Sequence, residues 1–279
     1  MAKVVLVVLD GLGYSYSRRL LGNVEGWVAN GEAKVWRMQS VLPSTSGPCY
    51  ASIHTGVEPQ IHGIRTNADS FRLEQPDIFS AARAAGRTTA AVAHSYFSAY
   101  FQRAPFDPLM DLEVDDETLP IQHGRFYTME GEFSGNLAVP SDADIFAQTS
   151  ILMRRHAPDY ILLHSCTTDS IGHAFGSDSI EMDKAAYLVD GVISRYLPMW
   201  RDQGYEVMIT ADHGQSGRGH HGGTDDIMRD VALYYFGAGD GPLDDAVLDQ
   251  RAIAPTVLGR LGAEIPASMA VAPFISPDW

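Results

Sequence analysis

Cysteine and lysine are both scarce in this chain, and each scarcity removes a class of protein. Cys49 and Cys166 are the only two cysteines among 279 residues, too few for a disulfide framework, and a chain this long can bury a core without such staples. Both read as free thiols. Lysine occurs three times, and Lys and Arg total 20 against 35 Asp and Glu, for a formal charge of −15. Nucleic-acid backbones are held by clustered cations, so no nucleic-acid partner is expected. No stretch approaches the roughly 20 apolar residues needed to span a bilayer. The apolar run 4–9 is too short for the core of a signal peptide and has no small-residue cleavage site behind it. These features lead to the expectation of a cytoplasmic protein without a membrane partner.

What is present reads as an ordinary globular chain, 45% hydrophobic and 20% charged. One domain over 1–279 is expected, with an irregular loop or small cap around 103–140, where Pro, Gly and acidic residues scatter. Elsewhere strand and helix signals alternate, the pattern of an α/β fold with a mostly parallel central sheet and helices on both faces. Strands are expected at 4–9, 34–41, 88–93, 160–163, 206–210 and 231–236. Helices are expected at 16–30, just past Ser46, and at 78–85, 144–156, 179–201 and 252–261. Neither an internal repeat nor a low-complexity tract is found.

Three of the apolar strands end in groups that bind metal: Asp10, then Asp169 with His173, then Asp212 with His213. Ligands of open α/β sheets gather at the carboxyl ends of strands, although any single Asp there also serves as a helix cap. Asp169 and His173 are four residues apart and share one face of a helical turn. Asp10 follows six apolar residues, so its charge must be paired or bound to a cation. In His220-His221-Gly222-Gly223 one imidazole can be a ligand and the other an outer contact, or both can be exposed. Oxygen and nitrogen donors without thiolate suit zinc or manganese better than calcium, and so many imidazoles argue against magnesium. Two ions about 3.5–4 Å apart would stabilise attacking and leaving oxygens in phosphoryl transfer. The acidic excess either holds such ions or simply keeps the chain soluble. For a nucleophile, Ser44, Thr45 and Ser46 stand in a turn before a helix, where backbone N–H groups point at a phosphate; an ordinary N-cap is the alternative.

Taken in order, Val8-Leu9-Asp10-Gly11, Pro43-Ser44-Thr45-Ser46-Gly47-Pro48, Thr55-Gly56, Pro59 to Ile64, Asp169 to His173, Ala211-Asp212-His213-Gly214, His221 to Asp225 and Ile253 to Val257 with Leu261-Gly262 resemble the alkaline phosphatase superfamily. The nucleotide pyrophosphatase/phosphodiesterase branch is the most similar. The resemblance covers the whole chain and implies one metal site from Asp169, His173 and His221. It implies a second from Asp10, Asp212 and His213, touched by the nucleophile. That nucleophile falls on Ser46, or on Thr45 if the register slips by one. By the same resemblance Ser46 attacks phosphorus, and water then releases a phosphoseryl or nucleotidyl-seryl intermediate. The implied cofactors are two divalent ions, Zn2+ first and Mn2+ second, and the implied substrate is a small phosphate ester. The branch usually carries an Asn three residues after the nucleophile as a phosphate donor; Cys49 stands there, a poor substitute. The Gly47 N–H, Arg65 and Arg218 are the candidates to replace it. A phosphomonoesterase, phosphonate hydrolase or phosphomutase would use the same groups. A sulfatase would need an arginine where Tyr50 stands, and a non-catalytic metal-binding module is the reading from another class. Oligomeric state leaves no signature.

Overall fold

The computed structural model describes residues 1–129, 139–243 and 245–275. Nine strands form one sheet: β1 Lys3–Leu9, β2 Lys34–Gln39, β3 Thr89–His94, β4 Glu113–Asp115, β5 His123–Tyr127, β6 Tyr160–Ser165, β7 Tyr205–Thr210, β8 Asp230–Phe236 and β9 Val247–Asp249. Their spatial order is β4-β5-β3-β6-β1-β7-β8-β2-β9. The run from β5 to β7 is parallel, and β4 and β8 are the strands that oppose their neighbours. This is the mostly parallel α/β architecture that the alternation of apolar runs implies.

The Val-rich segment of β1 sits at the centre because it pairs on both sides, with β6 and with β7, and has a helix layer over it. Residues 4–9 are all buried, as a strand covered on both faces requires. Helix Asp142–His156 packs on β6 and β3, helix Ile180–Asp202 on β7, and helix Ile253–Leu261 on β1. Because β3, β6, β1 and β7 are parallel neighbours, their carboxyl ends lie side by side. Whatever residue follows each strand therefore enters one shared space.

Two segments differ from their sequence reading. The helix expected over 16–30 is two short ones, Tyr14–Leu20 and Gly22–Ala29, because Leu21 leaves helical geometry at φ −82°, ψ 67°. Within 103–140, β4 and β5 extend the sheet by two strands at one edge, with β5 pairing in parallel with β3; residues 130–138 of that expected loop or cap lie outside the described residues. No helix among the described residues is long and apolar enough to cross a membrane.

Under the site, His54 on helix Ser46–Thr55 is enclosed by Phe79, Phe97, Phe101 and Tyr160. Its Nδ1 donates to the Tyr50 carbonyl at 3.1 Å and its Nε2 accepts from the Tyr160 hydroxyl at 3.1 Å. Both ring nitrogens are satisfied by the neutral form, and burial pushes the imidazole down to about 3. Unfolded, it titrates near 6.5, so the unfolded chain binds the extra proton and stability is lost as pH falls from about 6.5 toward 3. In urea titrations, His54→Gln should reduce the slope of unfolding free energy against pH between 6.5 and 4.5 by roughly 1.4 kcal/mol per pH unit relative to the native chain. Identical slopes for the two proteins would show that His54 is not held neutral.

Candidate active site

Five chain segments deliver the site. After β1 the chain turns at Asp10-Gly11, where Gly11 adopts φ +72°, and a Cβ there would come within 3.0 Å of Asp169. Only glycine allows that approach, and it lets the Gly11 N–H donate to Asp212 Oδ1 at 3.1 Å. After β6, helix Thr167–Phe175 carries Asp169 and His173 one turn apart, with Nε2 of His173 3.4 Å from Asp169 Oδ2. After β7 come Asp212 and His213, whose Nε2 lies 3.2 Å from Asp212 Oδ2 and 3.5 Å from Asp10 Oδ1. The loop beyond brings His221 to 3.1 Å from His173, Nε2 to Nε2, and stacks it on the His213 ring at 4.0 Å. Helix Ser46–Thr55 begins at Ser46 itself, not past it, and sets Oγ 3.2 Å from His213 Nε2. The seven expected side chains, scattered over two hundred positions, thus meet in one cluster.

Electrostatics makes this cluster incomplete by itself. Burial opposes charge on Asp10, but His164, His213 and Tyr50 around it outweigh that and hold its carboxyl below the usual range. Asp169 and Asp212 shift oppositely: burial first, then repulsion from Asp10, pushes both well above the usual range. Asp10 Oδ1 and Asp212 Oδ2 are buried and accept no hydrogen bond. Orphaned carboxylate oxygens facing imidazole nitrogens form a donor set that fits a divalent ion, which would relieve the penalty on these charges. Among the groups whose donor atoms converge are Asp10, Asp212, His213 and Asp169, His213, His221, so His213 lies where the two sets adjoin.

Residues outside the expected set support this cluster. The Tyr50 hydroxyl donates to Asp10 Oδ2, and His164 Nε2 lies 3.4 Å from the same oxygen. Gln215 donates to Asp169. No spacing rule connects positions 50 and 164 to position 10, since the fold alone makes them neighbours.

Beside the cluster opens a cavity of about 440 Å³ whose walls include Asn67, His94, Ser95, Tyr96, Thr128 and Met129. Here the expected substrate contacts need correction. Cys49 is fully buried within its helix and does not face the cavity. The Gly47 N–H is already used, donating to Asn67 Oδ1 at 2.8 Å; Gly47 must be glycine because a Cβ would meet Tyr100 Oη at 2.9 Å. Arg65 and Arg218 are exposed and outside the lining. What faces the cavity is Asn67, with its Oδ1 engaged and its Nδ2 hydrogens left to donate. His94 joins it. Its Nδ1 accepts from the Tyr96 N–H at 3.2 Å, and burial pushes the ring down to about 3. At neutral pH the proton therefore sits on Nε2. Asn67 follows Ser46 by 21 positions in an exposed loop, too far for a local motif to point to it.

The chain belongs to a known family. A family model described as type I phosphodiesterase / nucleotide pyrophosphatase matches residues 4–254. A 2,3-bisphosphoglycerate-independent phosphoglycerate mutase of Bacteroides thetaiotaomicron is 30% identical over 116 residues, 40% of this chain and 22% of the mutase. The match therefore spans about a fifth of that relative's length. Among solved structures, murine ectonucleotide pyrophosphatase / phosphodiesterase 5 superposes with a TM-score of 0.70 at 13% identity, covering 98% of this chain and 100% of that one, a likeness of fold. Phosphonoacetate hydrolase from Sinorhizobium meliloti 1021 gives a TM-score of 0.54 at 25% identity, over 76% of this chain and 56% of the other.

The repulsion between carboxylates has a measurable consequence. After chelation, Asp212→Asn should melt above the native chain by roughly 2–4 °C, about 1 kcal/mol of relieved repulsion, since an amide oxygen can still accept from Gly11. Added Zn2+ or Mn2+ should raise the melting temperature of the native protein, by about 2.7 kcal/mol of linkage at a hundredfold excess over Kd, and move the variant far less. A variant that melts lower than the native chain under both conditions would contradict the carboxylate repulsion.

Proposed function

Since the chain belongs to the type I phosphodiesterase / nucleotide pyrophosphatase family of phosphoric ester hydrolases, we propose that it is a two-metal phosphodiesterase acting on small substrates, with Ser46 as nucleophile. The observation that carries this reading is the placing of Ser46 Oγ beside His213 at the mouth of the carboxylate–imidazole cluster. Asp10, Asp212, His213 and Ser46 would hold one ion and Asp169, His173 and His221 the other, with Zn2+ first and Mn2+ second for a set of mixed oxygen and nitrogen donors. Bound there, the ions supply Lewis-acid stabilisation of charge on the phosphoryl oxygens.

The chain's own groups do the rest. His213 Nδ1 donates to the Gly214 carbonyl at 3.1 Å, which leaves the Nε2 lone pair for the ion that would also hold Ser46 Oγ, 3.2 Å from that nitrogen. Ser46 Oγ gives up its proton and bonds to phosphorus as the bond to the leaving oxygen breaks, in line, and the leaving oxygen takes up a proton. Water then breaks the Oγ–P bond in a second displacement that regenerates the serine. Asn67 Nδ2 and His94 Nε2–H face the cavity and can donate to a phosphoryl oxygen, placing fixed dipoles where charge builds. Thr45, the fallback nucleophile, stands at the N-cap position of this helix without a side-chain capping bond, and it does not line the cavity.

Phosphonate hydrolysis or phosphoryl transfer on the same serine is the second reading, supported by the likeness to the phosphonoacetate hydrolase and the mutase. Ser46→Ala should lower kcat/KM for bis(p-nitrophenyl) phosphate by at least about 10³-fold, a loss of about 4 kcal/mol of transition-state stabilisation. Acid-quenched native enzyme should carry the phosphoryl adduct on the peptide containing Ser46, detected by mass spectrometry. Near-native turnover by the alanine variant would transfer the role to Thr45 or exclude covalent catalysis.

A further inference from the structure

A second group of metal-capable side chains stands at the opposite end of the sheet. Asp115, His123 and His156 bring ligand atoms within 4.8 Å of one another. His123 is the first residue of β5, and His156 closes helix Asp142–His156 just ahead of β6. Both strands run parallel with β3, so these residues lie toward the amino ends of the strands, whereas the carboxylate–imidazole cluster gathers at the carboxyl ends. None of the three takes part in the chemistry derived above.

Three elements supply the donors. Asp115 and His123 are direct partners across the antiparallel β4–β5 pair, with His123 Nδ1 2.7 Å from Asp115 Oδ1. The His156 ring lies face to face on the His123 ring, centroids 3.6 Å apart and planes 14° from parallel. An Asp–His bond alone accounts for two of these residues. It gives no reason for a second imidazole, brought from a helix, whose ring nitrogens make no hydrogen bond among the described residues.

The donor set selects the ion. Two imidazoles and one carboxylate suit zinc and its late first-row neighbours, while magnesium and calcium take oxygen ligands. The His123 side chain is 8% exposed and that of Asp115 70%, so the site has a fixed half and an open half through which an ion and its water can enter. His156 stands in the last turn of its helix, where the dipole favours positive charge. Of the neighbouring cations, Arg125 is committed to Glu113 at 3.0 Å across the same two strands, and Arg155 is exposed. An ion bound tetrahedrally at about 2.0–2.1 Å would hold the Asp115 oxygen and His123 nitrogen roughly 3.3 Å apart, somewhat wider than a shared proton does. Rotation of the exposed Asp115 side chain supplies that opening, and the broad χ2 torsion of His156 lets its ring turn a nitrogen to the same point.

We propose that Asp115, His123 and His156 form a separate site for Zn2+ or a neighbouring late first-row ion, which clamps the β4 edge of the sheet to the end of helix Asp142–His156.

The test compares the native protein with His156→Gln, a change at a partly exposed helix end, and with Asp115→Ala. After equilibrium dialysis against Zn2+, elemental analysis should find about one equivalent less in each variant than in the native chain, the loss expected when a three-ligand site loses a ligand. Their kcat/KM for bis(p-nitrophenyl) phosphate should stay within about twofold of native. Zn2+ should slow amide exchange in β4 by about tenfold in the native chain and leave it unchanged in His156→Gln. Equal Zn2+ content in all three proteins overturns the inference, whatever total the carboxylate–imidazole cluster binds. A lost equivalent accompanied by lost turnover also overturns it, because the three residues would then serve the other cluster. Exchange in β4 that ignores Zn2+ in the native chain overturns the clamp.

Discussion

Three carboxylates, on Asp10, Asp169 and Asp212, share one buried space, and the rest of the site is arranged around that fact. Negative charges this close in a desolvated setting cannot all persist unaided. The protein meets part of the cost internally. His164 and Tyr50 hold Asp10 charged, while Gly11 and Gln215 donate to Asp212 and Asp169. What they leave over, the unpaired oxygens of Asp10 and Asp212, matches the demand of divalent cations and not of further hydrogen bonds.

The sheet makes this arrangement possible. Four parallel strands, β3, β6, β1 and β7, stand side by side, so each contributes its first residues beyond the carboxyl end to one crevice. The central strands are buried on both faces and packed by helices, which leaves the ligand groups little freedom to drift apart. Helix Ser46–Thr55 adds the Ser46 hydroxyl from outside the sheet. Its fully buried body, anchored through His54 to Tyr160 on β6, fixes where Ser46 points. Stability and chemistry are therefore linked at this helix, because the residues that seat it in the core also aim its first hydroxyl.

Legibility from sequence followed the range of the interaction. Asp10 was readable because a charge at the end of six apolar residues has few physical explanations, and the Asp169–His173 pair because helical periodicity is local. Strand positions were readable for the same reason, with boundaries differing by one or two residues. The break at Leu21, strand β5 and the edge strands β4 and β9 were not, since a short strand beside an established sheet is set by its neighbour and not by its own pattern. Among site residues, Asn67, Tyr50, His164 and His94 act through contacts between segments far apart in the chain. Cys49 shows the converse. The resemblance puts a phosphate donor at its position, one helical turn from Ser46, yet Cys49 is fully buried and absent from the cavity lining.

The division between cluster and wall explains how one scaffold can serve different phosphate chemistries. The cluster comes from strand ends and a buried helix, where a substitution perturbs the core as well as the site. The wall comes from the residues just beyond β3, the loop holding Asn67 and the residues that follow β5, all at the periphery of the sheet. Changes there alter charge and shape without disturbing the packing that gathers the carboxylates. Any discrimination among phosphate esters should therefore be sought in the sign and placement of wall side chains.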